Sequence, residues 1–148
     1  MNVTDRDLGY RKIMRDFQSI NGKSVVAGVL KDAGNEPNGA ALVNVARWNE
    51  FGTSRIPPRP FVRLSYENNH PKWESAAEKV AEDIICRRRF NAAMKELGGI
   101  MRDDIKKIIG DKTLLAPNAP STIRKKGHDK PLIDKGKLKA CINFRIDG

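Results

Sequence analysis

Trp48-Asn49-Glu50-Phe51-Gly52-Thr53-Ser54-Arg55-Ile56-Pro57-Pro58-Arg59-Pro60-Phe61-Val62-Arg63 is the stretch on which the reading of this chain turns. It holds a glycine placed to end a helix, then three prolines in four positions, with Arg55, Arg59 and Arg63 and the aromatic pair Phe51 and Phe61 spread along it. Proline fixes its own φ, and it pushes the residue before it toward extended geometry. Residues 53–60 therefore form a stiff arm with little entropy to lose on docking. Two readings suit its side chains. In one, Glu50, Phe51, Arg55, Pro57, Pro58, Arg59, Pro60, Phe61 and Arg63 form a partner-binding surface, with phenylalanine anchors and arginine forks. In the other, the arm folds onto its own domain, the phenylalanines are core and the arginines are solvated. On the first reading, Arg59→Ala or Phe61→Ala leaves a folded monomer and weakens assembly.

Upstream of the arm, Leu42, Val43 and Ala46 follow helical spacing, so Ala40 to Phe51 reads as a helix with Gly52 as its left-handed terminator. Lys31 to Gly39 is rich in Asp, Gly, Asn and Pro and reads as a flexible loop. Ser24 to Leu30 is a short β-branched strand, placed centrally in a sheet. Tyr10, Ile13, Met14 and Phe17 line one face of a short N-terminal helix that ends at Asn21-Gly22.

Downstream, a helix restarts near Phe61, and Asn69 or His70 is a candidate cap for a new one with Pro71 in its first turn. Lys72 to Ile109 keeps apolar steps of three and four, with candidate breaks at Arg87-Arg88-Arg89 and Gly98-Gly99. Unbroken, its 38 residues would reach about 57 Å. Leu114 to Pro120 is a linker, and Ser121 to Lys126 is a turn or two of helix. Asp134 is a candidate cap for a short helix over 135–140. Cys141 to Ile146 alternates like a half-buried strand. The expected architecture is α+β: one domain over residues 1–148, with a small, mostly antiparallel sheet packed on one long helix and short helices toward each terminus.

Composition narrows the function classes. With 148 residues and 39% hydrophobic content the chain can bury a core. No run approaches the roughly 18 apolar residues of a membrane span, and Met1 to Gly9 lacks a signal-peptide apolar region. Cys86 and Cys141 read as reduced thiols. His70 and His128 lie far from them in sequence, and no metal-ligand spacing exists. No nucleophile elbow, phosphate loop, dinucleotide fingerprint or zinc-protease motif is present, and Asp103-Asp104 point about 100° apart on a helix. Neither an enzyme nor a cofactor is expected.

The net charge of +10 is lopsided: residues 1–86 carry 12 Lys and Arg against 11 Asp and Glu, and residues 87–148 carry 16 against 7. Arg87, Arg88, Arg89, Lys125, Lys126, Lys130, Lys135, Lys137 and Lys139 can face DNA phosphates, acidic groups of a neighbouring subunit, or solvent. No aromatic residues interleave with the lysines and no recognition helix is evident, so any DNA contact is through phosphates and salt-dependent. A sequence-independent nucleic-acid-binding protein is thus the alternative function.

Residues 46–63, with Asn49-Glu50-Phe51-Gly52-Thr53 ahead of Ile56-Pro57-Pro58-Arg59-Pro60-Phe61-Val62-Arg63, resemble the signature of tailed-phage neck and tail-completion proteins. Ser121-Thr122-Ile123-Arg124-Lys125-Lys126 and Lys130-Pro131-Leu132-Ile133-Asp134-Lys135-Gly136-Lys137-Leu138-Lys139 look like that family's second signature, departing from it at Lys135. The two stand in the family's order and together span about two-thirds of the chain. The resemblance implies a structural virion protein that forms a ring, most often a hexamer, at the head–tail junction. It implies portal-side connector or stopper proteins and the tail terminator or tail tube as partners, with genome DNA passing through the lumen. It implies location in the virion, with assembly in the host cytoplasm, no membrane and no catalysis.

Overall fold

A computed structural model describes residues 9–85 and 90–148. Its elements are α1 (Tyr10–Ile20), β1 (Ser24–Val29), α2 (Leu42–Phe51), α3 (Phe61–Ile85), α4 (Phe90–Ile108), α5 (Pro120–Lys126), α6 (Lys137–Cys141) and β2 (Ile142–Asp147). The expected α+β class stands: helices pack on a two-stranded antiparallel sheet.

β1 and β2 run antiparallel with Ser24 opposite Asp147 and Val29 opposite Ile142. Among the described residues β1 has this one neighbour, so it is not the central strand that its β-branched run suggested. The sheet lies on α4. Gly98 of α4 makes that close approach possible, because a Cβ there would overlap the Phe144 ring.

The periodic stretch 72–109 is not one rod. α3 and α4 pack against each other antiparallel, with Lys72 and Trp73 opposite Asp104, and Val80 opposite Leu97 and Ile100. Gly98-Gly99 does not break α4, since its missing side chain serves the contact with the sheet. Pro71 lies inside α3 rather than at a helix start. Its ring removes the amide that would bond the Glu67 carbonyl. His70 Nδ1 stands 3.3 Å from that same carbonyl, so the tautomer protonated at Nδ1 supplies a donor in its place.

The core forms where the start of α3 and the end of α4 meet α6, β2 and the segments between. Phe61, Ile105, Ile109, Leu115 and Ile142 are each no more than 3% exposed. α6 begins after Gly136, in a left-handed conformation, not after an Asp134 cap. In the 31–39 loop, Glu36 N donates to Ala40 O, Gly39 N to Glu36 O and Leu42 N to Gly34 O. Among the described residues no helix is long and apolar enough to cross a membrane.

Candidate functional site

The arm joins α2 to α3, and each residue of its motif has a local reason. Gly52 takes φ 76° and ψ 175°, a backbone region that favours glycine, and a Cβ there would meet Ile56 O and Pro58 N at 3.0 Å. Thr53 Oγ1 then accepts from the amides of Arg55 and Ile56, closing a tight turn, while Thr53 N donates to Ile56 O. The chain doubles back far enough for Arg59 N to donate to Asn49 O at 2.6 Å.

Glu50 stands in the last turn of α2, yet it caps α3. Its two carboxylate oxygens accept from Val62 N and Arg63 N, each at 3.0 Å. A carboxylate at a helix N-terminus satisfies free amides and meets the positive end of the dipole.

Arg59 and Phe61 turn inward. Phe61 is fully buried in the core, and Arg59 is 8% exposed. Arg59 Nε donates to Ala116 O at 2.7 Å and Nη2 to Pro117 O at 2.8 Å, so the guanidinium fork binds the linker after α4. Burial lowers its pKa. The expectation that Arg59 and Phe61 project outward as partner anchors is corrected: Phe61 is enclosed in the chain's own core, and the fork of Arg59 is held by its own linker. Glu50 likewise is spent on the cap of α3.

What remains outside is Phe51 at 77% exposure and Trp48 at 43%, one helical turn apart on α2, with exposed Arg55, Pro57 and Pro58 beyond them. Arg63 is exposed and stands 3.8 Å from Glu67, and Pro60 is half-buried.

Between the arm and residues 117–138 lies an open cleft of about 800 Å³. Arg55, Arg59, Lys126, Lys135 and Lys137 line it against two carboxylates, Glu36 and Asp134. Its wall includes Leu132, which holds φ 59° with its side chain buried. For a non-glycine residue that is a sparsely populated conformation, kept here by the core around it. Lys126 Nζ donates to Ile133 O at 2.9 Å. Its pKa is lowered, first by burial and also by the charge of Arg59, while Asp134 opposes the shift.

The fold thus brings Lys126, Lys135 and Lys137 together with two arginines of the arm. Lys125 borders a shallower hollow beside them, shared with Lys126 and Asp134. Lys130 and Lys139 line neither depression. Arg87, Arg88 and Arg89 lie outside the described residues, as does Cys86.

No family model matches this chain, and no curated protein or solved structure matches it either.

Sequence reasoning passed over one polar centre. Asp104 is 2% exposed and accepts from Lys72 Nζ, Trp73 Nε1 and Lys107 Nζ at 2.8–3.1 Å. Burial raises its pKa, but the three hydrogen bonds outweigh burial and hold it below the ordinary carboxylate value. The apolar steps on either side of Asp104 were the available signal: it falls on the buried stripe of α4, next to Ile105 and one turn from Met101 and Ile108. It ties α3 to α4. Among the described residues no group of three or more His, Cys, Asp or Glu side chains is placed to hold a metal ion.

Proposed function

We propose that this protein is a ring-forming structural subunit of a tailed phage, placed at the head–tail junction. Its motif carries the reading: residues 46–63 resemble the neck and tail-completion signature, and their exposed remainder includes the aromatic pair Trp48 and Phe51. The buried Arg59 and Phe61 and the half-buried Glu50 and Gly52 set the angle between α2 and α3. That rigid setting presents Trp48 and Phe51 beside Arg55 as the contact surface. Exposed aromatics next to arginine are the residue types that dominate protein–protein contacts. Portal-side connector proteins and the tail terminator or tube are the partners that this placement assigns.

Electron microscopy of particles assembled without this chain tests the reading. DNA-filled heads beside unjoined tails are expected. Normal joined virions would remove the junction role. The alternative, sequence-independent DNA binding, rests on the basic C-terminal half, where residues 87–148 carry 16 Lys and Arg against 7 Asp and Glu. Titration of duplex DNA at two salt concentrations separates the two: micromolar affinity that falls steeply with salt favours the alternative.

A further inference from the structure

The basic cleft between the arm and α5–α6 has a counterpart on the same molecule that it cannot reach. Glu74, Glu78 and Glu82 recur every four residues on α3, so they form one stripe, and all three are exposed. Like charges at this spacing repel. No cation among the described residues pairs with them, although the chain carries a net +10. Glu74 lies 13 residues beyond Phe61, the first residue of α3. At 1.5 Å per residue the stripe therefore runs from roughly 20 to 32 Å along the helix from the end that borders the cleft. The cleft carries the opposite excess, five cations against two carboxylates.

We infer that the cleft is the docking site for the α3 carboxylate stripe of a second copy of this chain. Two different patches at opposite ends of α3 then meet head to tail. Such a heterologous contact repeats from copy to copy and closes a ring when the rotation permits. The inference rests on the ring-forming reading and gives it an interface.

The test is sedimentation velocity on the full chain and three variants: Lys135→Glu/Lys137→Glu, Glu78→Lys/Glu82→Lys, and all four substitutions combined. The wild type is expected to sediment as an oligomer that dissociates at high salt. Each pair of reversals is expected to give monomer at the same concentration. The combined variant, with both signs exchanged, is expected to regain the oligomer. All four positions are exposed. Should a reversal fail to fold by circular dichroism, the neutral versions Lys135→Gln/Lys137→Gln and Glu78→Gln/Glu82→Gln serve instead, with weakened assembly expected.

A wild-type chain that stays monomeric at every concentration overturns the self-assembly reading and this interface with it. An oligomer that survives the reversals overturns the interface alone. A combined variant that remains monomeric overturns the pairing of these two patches. Loss of duplex binding on Lys135→Glu/Lys137→Glu with unchanged mass overturns it in favour of a phosphate contact.

Discussion

The ring of Phe144 on β2 occupies the space where a side chain at Gly98 of α4 would stand. Sheet and helix therefore touch through a missing methyl group. Its neighbour Gly99 faces open space, with nothing within 4 Å of an added Cβ. The same substitution must act with opposite sign at these two positions. Alanine is favoured over glycine inside a helix by about 1 kcal/mol. Gly99→Ala gains that amount, and its melting temperature rises by a few degrees. Gly98→Ala gains the same propensity but forces Phe144 or the sheet to move, and overpacking costs about 1–3 kcal/mol. Thermal melts of the two variants check this: Gly98→Ala melting at or above the wild type would mean that the sheet is not seated on Gly98.

Arg59 holds two carbonyls of the linker that follows α4, and this changes what its removal should do. On the interface reading, its loss would leave the subunit intact. With the guanidinium buried, the loss falls on the fold itself. Arg59→Lys keeps a charge but has no fork, so at most one carbonyl is well served. Hydrogen bonds to charged groups contribute about 1.5–3 kcal/mol, so Arg59→Lys is expected to lower stability by that order. Hydrogen exchange at Leu115 and Asn118 should quicken with it, because the linker loses its anchor. Unchanged stability and exchange would show that the fork is dispensable.

Most elements were legible because each has a local cause. The α2 helix stops at the glycine that the sequence offers as its terminator, though with ψ 175° rather than in the left-handed helical conformation, the β-branched run holds β1, and the alternating run holds β2. The antiparallel packing of α4 on α3 was less legible because both helices bury the same kind of stripe. An apolar step of three or four residues continues across 72–109 whether the chain runs straight or folds back. The arm was half legible. Proline predicts its stiffness, but no local rule says whether an arginine in it reaches solvent or a carbonyl 57 positions away. Glu50 shows the same limit: its place at the end of one helix conceals its use at the start of another.

Asp104 gives the fold an acid-sensitive tie. Its carboxylate stays below the ordinary pKa in the folded protein because three donors outweigh the burial that would raise it. A depressed carboxylate contributes stability that is present above the unfolded value, about 3.9, and is lost as pH falls through the folded one. Asp104→Asn is expected to cost about 1–3 kcal/mol at pH 7, since the amide sets an N–H group against the lysines. Below pH 4 the difference should shrink, as the wild type protonates and the variant does not. Melting curves between pH 7 and pH 2 decide it. A gap that is constant with pH would mean that the charge of Asp104 contributes nothing.

Pro71 is a cost built into α3, and His70 offsets part of it. A proline in a helix interior is unfavourable by about 3 kcal/mol relative to alanine. Here the freed Glu67 carbonyl accepts from His70 Nδ1, and the His70 ring also stacks on Tyr66 at 5.4 Å. Pro71→Ala restores the backbone amide and is expected to stabilise by about 1–2 kcal/mol, or several degrees in melting temperature. His70→Phe keeps a ring against Tyr66 and deletes the donor. In the proline background it should destabilise, because a helical carbonyl loses its donor. In the Pro71→Ala background it should cost little, because the backbone already serves that carbonyl. The double-mutant cycle isolates this coupling. Strictly additive effects would mean that His70 does not compensate for the proline, and that its contact with Glu67 is incidental.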